Sequence, residues 1–303
     1  MTRVAVTGAA GRLGRALVAA ANEQVAIAPV TVSGWSRPQF DLDRPAGFAA
    51  LVREVAPDVV IHAAAWTDVD GCAVEPALAM RRNGEATTML AESCAAQGVD
   101  LIVVSTNEVF DGRRTDGRGY APFDPVGPLN AYGESKSAGE EGARAAYGDV
   151  GPAGPRLAIV RTAWLFGPPA TDFPSKILAA AARARKTGEP LRVVSDEVGS
   201  PTYAADLAGA IVGAVVGGRS NGTYHVVNAG SASRSAWARE VLRLAGLAVD
   251  IEEIPAAAWR RPSRPPIWTV LEPSAGFGKP LRDWREALAA YLGGPSRATA
   301  GAA

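Results

Sequence analysis

Short apolar runs alternate with longer amphipathic stretches along the first half of the chain. Apolar runs of this length predict buried strands, and apolar residues recurring every three or four positions predict helices. The predicted strands are Val4–Thr7, Ala26–Ser33, Val59–Ala63, Leu101–Ser105 and Leu157–Thr162, and the predicted helices are Leu13–Ala21, Phe48–Val55, Ala77–Gln97 and Ala131–Tyr147. Such alternation, with fully apolar strands, is typical of α/β proteins with a doubly wound parallel sheet.

The alternation loosens after about residue 167, where proline and glycine become frequent. We therefore expect residues 1–166 to form the sheet domain and residues 167–292 to form mainly a smaller C-terminal substrate-binding lobe. Segments near 191–217 and 222–228 are predicted to return to the sheet. Residues 293–303 are small and polar, which predicts a disordered tail.

Composition narrows the possible partners. The chain has 31 basic and 31 acidic side chains, which argues against binding to nucleic acid. Cys72 and Cys94 lack metal-ligand spacing and predict reduced thiols in a cytoplasmic protein. No apolar stretch reaches the length that would cross a membrane. We expect a protein that acts on a small molecule.

Three glycines follow the first predicted strand, at positions 8, 11 and 14, and a helix begins among them. Gly8 permits a tight turn, Gly11 lets the backbone approach a pyrophosphate, and Gly14 lets the helix pack closely on the sheet. The N–H groups of Arg12 and Leu13 lie at the helix start, where anions bind favourably. This arrangement predicts a Rossmann-type dinucleotide site, the alternative being a plain glycine-rich turn.

The end of the second strand bears on the choice of cofactor. An acidic residue here usually binds the ribose 2′-hydroxyl of NAD, whereas this chain has Ser36 and Arg37. These residues suit a 2′-phosphate and predict NADPH, with NADH possible; the alternative is that Arg37 is a solvated loop charge. Asp41 and Leu42 are predicted to face the adenine ring, unless Asp41 only caps the helix near Phe48.

Tyr132 and Lys136 are four residues apart on a predicted helix and would share one face of it. The ammonium would favour the phenolate and lower the tyrosine pKa from about 10 towards neutrality. Thr106 follows another predicted strand, and could give a second hydrogen bond to the same substrate oxygen. Because ligands bind at the carboxyl ends of parallel strands, these residues should converge with the glycine turn in one crevice. The alternative is a chance pair on an exposed helix.

Several segments together resemble the extended short-chain dehydrogenase/reductases, and among them the dTDP-4-dehydrorhamnose reductase family. The resemblance covers roughly residues 3–290. The matching segments are Thr7–Gly14, Pro57–Thr67, Ser105–Gly112, Pro128–Lys136, Arg161–Gly167, Asp196–Thr202, Gly222–His225 and Arg264–Leu271.

The resemblance implies that NADPH delivers hydride to the C4 keto carbon of a dTDP-6-deoxy-4-ketohexose. Tyr132 would donate the proton, Lys136 would bind the nicotinamide ribose, and Thr106 would polarise the carbonyl. Three further groups of residues are implied to contact the ligands. They are the alanines Ala63, Ala64 and Ala65 against the cofactor, Trp164 against the sugar, and Arg264 at the diphosphate. The alternatives are strand–helix packing for the alanines, a core position for the tryptophan and a solvated loop position for Arg264.

The chain departs from the family pattern in two places. Family reductases usually carry Asp-Tyr after the threonine, where this chain has Asn107 and Glu108. Both are predicted to lie at the substrate, and Glu108 leaves open a nucleotide-sugar 4,6-dehydratase or epimerase; a non-catalytic NADP-binding regulatory subunit is a further alternative. Arg15 replaces a glutamate that holds magnesium between subunits of some relatives. We therefore expect no metal site, and a monomer or homodimer.

Overall fold

The computed structural model describes residues 1–24, 30–148, 154–218 and 221–293. The strands are β1 Thr2–Thr7, β2 Val30–Trp35, β3 Val59–His62, β4 Asp100–Thr106, β5 Leu157–Thr162, β6 Leu165–Phe166, β7 Leu191–Val194, β8 Val198–Gly199, β9 Thr202–Tyr203, β10 Gly222–His225, β11 Ala232–Ser233 and β12 Ile251–Ile254. The α-helices are α1 Arg12–Gln24, α2 Phe48–Val55, α3 Val69–Val74, α4 Pro76–Ala79, α5 Ala86–Ala95, α6 Ala131–Gly148, α7 Phe173–Thr187, α8 Ala204–Val216, α9 Arg234–Leu244 and α10 Trp284–Gly293.

Six parallel strands form the central sheet in the order β10-β5-β4-β3-β1-β2. From β1 the chain passes to β2 on one side, and then returns to β3 on the other side of β1. This reversal of strand order opens a crevice between the carboxyl ends of β1 and β3. The predicted Rossmann-type α/β fold is confirmed.

Helices cover both faces of the sheet, which explains why its strands are apolar on both sides. One core contains Leu17 of α1 and Leu207 of α8 packed with residues of β1, β3 and β5. The other contains Leu51 of α2, Leu90 of α5 and Ala143 of α6, packed on the opposite face. Helix α6, which carries Tyr132 and Lys136, is thereby held against the sheet.

A third core lies in the C-terminal part of the chain and is built from α7, α9, α10 and the pair β7–β12. We predicted that the segment beginning at Leu191 returns to the main sheet, and this was wrong. Strand β7 pairs with β12 instead, because its buried Leu191 and Val193 pack into this third core. Strand β10, by contrast, lies beside β5 in the main sheet.

The helix predicted over Ala77–Gln97 is interrupted. A π-helical segment, Met80–Glu85, separates α4 from α5. Two other predictions fall partly outside the described residues, namely positions 26–29 of the second strand and positions 294–303 of the tail. No helix in the described ranges is long and apolar enough to cross a membrane.

Candidate active site

The turn between β1 and α1 touches the end of β3. Gly8 has a φ of 65°, and a Cβ on it would lie 2.8 Å from the Cα of Ala64. A Cβ on Gly14 would run into the carbonyl oxygen of Gly8. Only glycine fits these two positions. The backbone of the turn therefore lies close to the end of β3, and its N–H groups border the crevice. This is the shape that a dinucleotide pyrophosphate requires.

A buried histidine holds the end of β3 in place. His62 Nε2 lies 3.1 Å from Thr87 Oγ1, which itself donates to the carbonyl of Asn83. Thr87 Oγ1 therefore accepts from Nε2–H, and His62 Nδ1 accepts from the hydroxyl of Thr7 at 2.8 Å. Burial and the charge of Lys136 lower the pKa of His62 to about 3. The ring is neutral, and it fixes the strand end that precedes Ala63.

The predicted cofactor residues divide between two connected cavities of the crevice. The first, which we call the adenosine cavity, contains Gly8, Gly11, Ser36, Arg37, Asp41, Leu42, Ala63, Ala64 and Ala65. The second, the reaction cavity, shares Gly8, Gly11, Ala63 and Ala65 and adds Arg12, Leu13, Gly14, Thr106, Asn107, Glu108, Tyr132, Lys136 and Trp164.

Arg37 and Arg82 both lie in the adenosine cavity, but only one of them has a partner. Arg82 donates to both carboxylate oxygens of Asp43, at 2.7 and 2.6 Å. Arg37 is exposed and makes no ion pair with any described residue. Ser36 Oγ accepts from the backbone N–H of Ala10 at 3.1 Å, tying the strand end to the glycine turn. Arg37 is thus the cation that remains available to a ligand.

The side chain of Arg12 reaches away from the glycine turn. It donates to the carbonyl oxygens of Gly167 and Pro169, and to Thr171 Oγ1 at 3.0 Å. It also forms an ion pair with buried Asp172 at 3.5 Å. The guanidinium therefore ties the glycine turn to the start of the C-terminal lobe, and only the backbone N–H of Arg12 remains for a phosphate.

Tyr132 and Lys136 project from α6 towards the end of β4. Lys136 is buried, and its Nζ donates to the carbonyl of Val104 at 2.8 Å. Tyr132 and Thr106 line the same cavity, and the hydroxyl of Thr106 donates to Asn107 Oδ1 at 3.2 Å. Thr106 also accepts from the N–H of Glu108 at 3.2 Å, so it caps the short 3₁₀ turn Asn107–Val109. The structure brings the three predicted catalytic residues together.

The predicted direction of the Tyr132 pKa shift was wrong. Burial raises the pKa of Tyr132 above its usual value, and the charge of Glu108 raises it further, while the nearby hydroxyl of Thr106 acts in the opposite direction. Burial outweighs any help from Lys136 because it penalises the charged phenolate. A raised pKa keeps the phenol protonated near neutral pH, which suits a proton donor.

Lys136 is shifted in the other direction. Burial lowers its pKa to about 8, although the carboxylate of Glu140 favours the ammonium. The side chain is thus protonated below about pH 8 and loses its charge as the pH rises through that value. Both shifts follow from burial, which disfavours whichever form is charged.

We expect kcat/KM for reduction to fall above about pH 8, as Lys136 loses its proton. Tyr132 stays protonated there, because its pKa is raised. A pH profile from 6 to 10 measures this. Lys136→Arg should remove the descending limb in whatever activity it retains, because arginine stays charged; an unchanged limb in that variant would assign it to another group.

Asn130 is a site residue that the sequence analysis did not single out. Its Nδ2 donates to Glu108 Oε2 at 2.6 Å, and its Oδ1 accepts from the N–H of Gly133 at 2.9 Å. Asn130 thus caps α6 and joins its start to the turn after β4. An asparagine directly before a predicted helix is a typical N-cap signal, and this signal alone could have identified Asn130.

The family model described as the RmlD substrate binding domain matches residues 2–294. The dTDP-4-dehydrorhamnose reductase of Streptomyces griseus is 37% identical over 292 residues, which cover 93% of this chain and 90% of that one. The chain belongs to this family. The resemblance to this family and the prediction of an oxidoreductase are both confirmed.

The chain is also similar to a second curated protein and to a solved structure. A probable dTDP-4,6-dihydroxy-2-methyloxan-3-one 4-ketoreductase of Streptomyces antibioticus is 36% identical, covering 93% of this chain and 92% of its own. The solved structure of dTDP-4-dehydrorhamnose reductase from Bacillus anthracis, in complex with NADP, is 29% identical with a TM-score of 0.84. It covers 96% of this chain and 99% of its own.

Trp164, the tryptophan that the family resemblance places at the sugar, is held from several sides. Its φ of 43° is unusual for a residue with a side chain. The guanidinium of Arg234 lies 3.5 Å from the ring centroid, and Trp237 stacks on the ring at 5.7 Å. Arg234 is in turn paired with Glu197 at 3.3 Å. Trp164 therefore both packs in the lobe and lines the reaction cavity, so the two interpretations of this residue are compatible.

Arg264 is exposed and lines neither of the two cavities. Its carbonyl accepts from Asn130 Nδ2 at 3.3 Å. Nearby, Arg261 and Ser263 both donate to Asp70, which anchors this basic loop to α3. The contact of Arg264 with a diphosphate stays a prediction.

At Arg15, where we predicted no metal ligand, the side-chain Nε donates to the carbonyl of Ala10 at 2.8 Å. Within the described ranges, no group of three or more His, Cys, Asp or Glu side chains could hold a metal ion.

Proposed function

We propose that this protein reduces the C4 keto group of a dTDP-6-deoxy-4-ketohexose with NADPH, with Tyr132 as the proton donor. The observation that carries the proposal is the presence of Thr106, Tyr132 and Lys136 in one cavity that also contains the glycine turn. Such a cavity would hold a reduced nicotinamide and a carbonyl group next to each other. Family membership supports the reaction type.

NADPH, when bound, supplies the hydride. The protein supplies the groups that act on the carbonyl oxygen. The phenol of Tyr132, kept protonated by its raised pKa, donates its proton to the oxygen as negative charge develops. Thr106 adds a hydrogen bond to the same oxygen, and the buried ammonium of Lys136 adds positive charge nearby. Together they stabilise the alkoxide-like transition state.

The described residues favour reduction over the alternatives. Asn107 lies in the reaction cavity, where a dehydratase would need an acid to protonate the leaving hydroxyl, and an amide cannot do this. A non-catalytic subunit would not need the three catalytic side chains together. Cys72 and Cys94 are free thiols in the structure, in keeping with the cytoplasmic location that we infer for such a biosynthetic enzyme.

The reaction is tested by incubating the protein with NADPH and dTDP-4-keto-6-deoxyglucose, with and without a 3,5-epimerase that generates dTDP-4-keto-rhamnose. We expect loss of NADPH absorbance with at least one of these sugars, and analysis of the product then gives the configuration at C4. Both substrates are needed because the named relatives act on different sugars. Absence of NADPH oxidation with every 4-keto sugar would refute the proposal.

Arg37 should determine the preference for NADPH. It is the unpaired cation of the adenosine cavity, and a charge-assisted hydrogen bond to a phosphate is worth about 1.5–3 kcal/mol. We expect Arg37→Ala to raise the KM for NADPH roughly 10- to 100-fold and to leave the KM for NADH nearly unchanged. Arg44→Ala is the matched control, because Arg44 is exposed in the same segment but does not line the cavity. An unaltered NADPH preference in Arg37→Ala would show that the 2′-phosphate binds elsewhere.

A further inference from the structure

A carboxyl group borders the reaction cavity without a role in the reduction. Glu108 lines this cavity together with Thr106 and Tyr132. It is also next to the helix that carries Tyr132, since a Cβ on Gly133 would run into the carbonyl oxygen of Glu108. Its Oε2 accepts from Asn130 at 2.6 Å. Among hydrogen bonds between described residues, Oε1 accepts none.

The surroundings of Glu108 suit a group that takes up and returns a proton. Burial raises its pKa, while the hydrogen bond from Asn130 and the charges of Arg234 and Arg261 limit the rise. No ion pair in the described ranges engages this carboxylate. The hydrogen bond to Asn130 fixes its position, and one oxygen is left to face a ligand.

The neighbouring groups would make a bound ketone acidic at its adjacent carbons. Hydrogen bonds from Thr106 and Tyr132 to a carbonyl oxygen stabilise the alkoxide of the reduction, and they stabilise the oxygen of an enolate for the same reason. A carboxylate within the same cavity is a general base of suitable strength for removing a proton next to such a carbonyl.

We propose that Glu108 removes a proton from a carbon next to the keto carbon of the bound sugar and returns one to the same face. This inference rests on the proposed function, because it assumes a 4-keto sugar in the reaction cavity. The protein then exchanges that hydrogen with water, in addition to reducing the ketone.

The step is balanced without an oxidant or reductant. The C–H bond breaks, its proton passes to the Glu108 carboxylate, and the electron pair forms the C=C bond of an enolate whose oxygen is held by Thr106 and Tyr132. The Glu108 carboxylic acid exchanges its proton with water. It then protonates the same carbon, and the ketone is restored.

We expect the exchange to retain configuration, because of the two carboxylates that line the cavity only Glu108 is available to return the proton. The other carboxylate among the described lining residues is Asp172. Its side chain is fully buried and accepts from the N–H groups of Gly167 and Ser175. Asp172 is therefore not available to protonate the opposite face, and hydrogen exchange without epimerisation is the expected outcome.

The experiment uses the protein with NADP⁺, which cannot reduce the sugar, and dTDP-4-keto-6-deoxyglucose or dTDP-4-keto-rhamnose in D₂O. Proton NMR follows loss of the C3 and C5 proton signals against a sample without protein. We expect one of these signals to disappear with no new epimer. Reduction is measured on the same preparations with NADPH in H₂O.

Variants of Glu108 test whether this residue is the base that exchanges the hydrogen. Glu108→Gln should slow exchange at least 50-fold, and this loss should exceed the loss in reduction at least tenfold. Glu108→Asp should retain part of the exchange, because it keeps a carboxylate. Glu134→Gln is the matched control: Glu134 is exposed on α6, the helix that carries Tyr132, and lies outside the cavity, so both rates should match the wild type.

The outcomes separate this inference from the proposed function. Reduction without deuterium exchange in the wild type would overturn the role of Glu108 and leave the reductase proposal intact, as would equal exchange in Glu108→Gln. Deuterium exchange without reduction of any 4-keto sugar would support the base and refute the reductase. Absence of both activities would overturn both proposals.

Discussion

Tyr132→Phe should lower kcat for reduction of the 4-keto sugar by roughly 10²- to 10⁴-fold, the usual contribution of a general acid. The phenyl ring fills the same space but has no proton to give. Because Thr106 and the glycine turn remain, we expect the KM values for sugar and NADPH to change by less than about threefold. Stopped-flow or steady-state measurement of NADPH absorbance gives both parameters.

Tyr147→Phe is the matched control, on the same helix. Tyr147 donates to the carbonyl of Val99 at 2.6 Å, on the side of α6 that packs into the core. Losing that buried hydrogen bond should cost about 1 kcal/mol of stability and leave kcat unchanged. If Tyr132→Phe reduces the sugar as fast as Tyr147→Phe, another group donates the proton.

Features encoded by neighbouring residues were predictable from the sequence. The glycine turn, the apolar strands and the spacing of Tyr132 and Lys136 each lie within a short segment. Strand order in a doubly wound sheet then brings the strand ends together without knowledge of any side-chain contact. For this reason the sequence predicted the sheet, and it predicted that Tyr132, Lys136 and Thr106 lie close together.

Features that depend on distant contacts could not be predicted. The Arg12 side chain contacts Gly167 and its neighbours, about 155 positions later, and nothing near Arg12 in sequence indicates this. Arg234 lies on the ring of Trp164 for the same kind of reason. Strand β7 looked like a strand of the main sheet because an apolar run does not specify its partner strand.

The sign of the Tyr132 pKa shift illustrates the same limit. Helical spacing placed Lys136 on the same face, and that alone favours a lower pKa. The degree of burial and the proximity of Glu108, which raise the pKa, exist only in the folded protein. Spacing therefore identified the pair of residues, and the fold determined their protonation.

The buried ion pair between Arg161 and Glu140 should be the largest single electrostatic contribution to the stability of the site. Arg161 on β5 donates to both Glu140 oxygens, at 2.9 and 2.6 Å, and both side chains are almost fully buried. Arg161 also donates to the carbonyl of Pro122 at 3.0 Å. The pair fastens α6, and with it Tyr132 and Lys136, to the sheet.

We expect Arg161→Met to lower the free energy of unfolding by about 3–5 kcal/mol, because it leaves the buried Glu140 with only the half-exposed Arg144, at 2.9 Å, as an ion-pair partner. Urea denaturation at pH 7 measures this. The double variant Arg161→Met with Glu140→Leu should recover much of the loss, since apolar residues of similar volume can replace a buried pair. A loss of less than about 1 kcal/mol in Arg161→Met would contradict the assignment.

The pH dependence gives an independent check on the same pair. Burial raises the pKa of Glu140, but the hydrogen bonds and charge of Arg161 outweigh it, so that the pKa is below its usual value. A lowered folded-state pKa stabilises the protein above the unfolded-state value of about 4.3, and this stability is lost as the pH falls through the folded-state value. The wild type should therefore lose stability below about pH 4 more steeply than the double variant. Equal slopes would mean that Glu140 is not held ionised by Arg161.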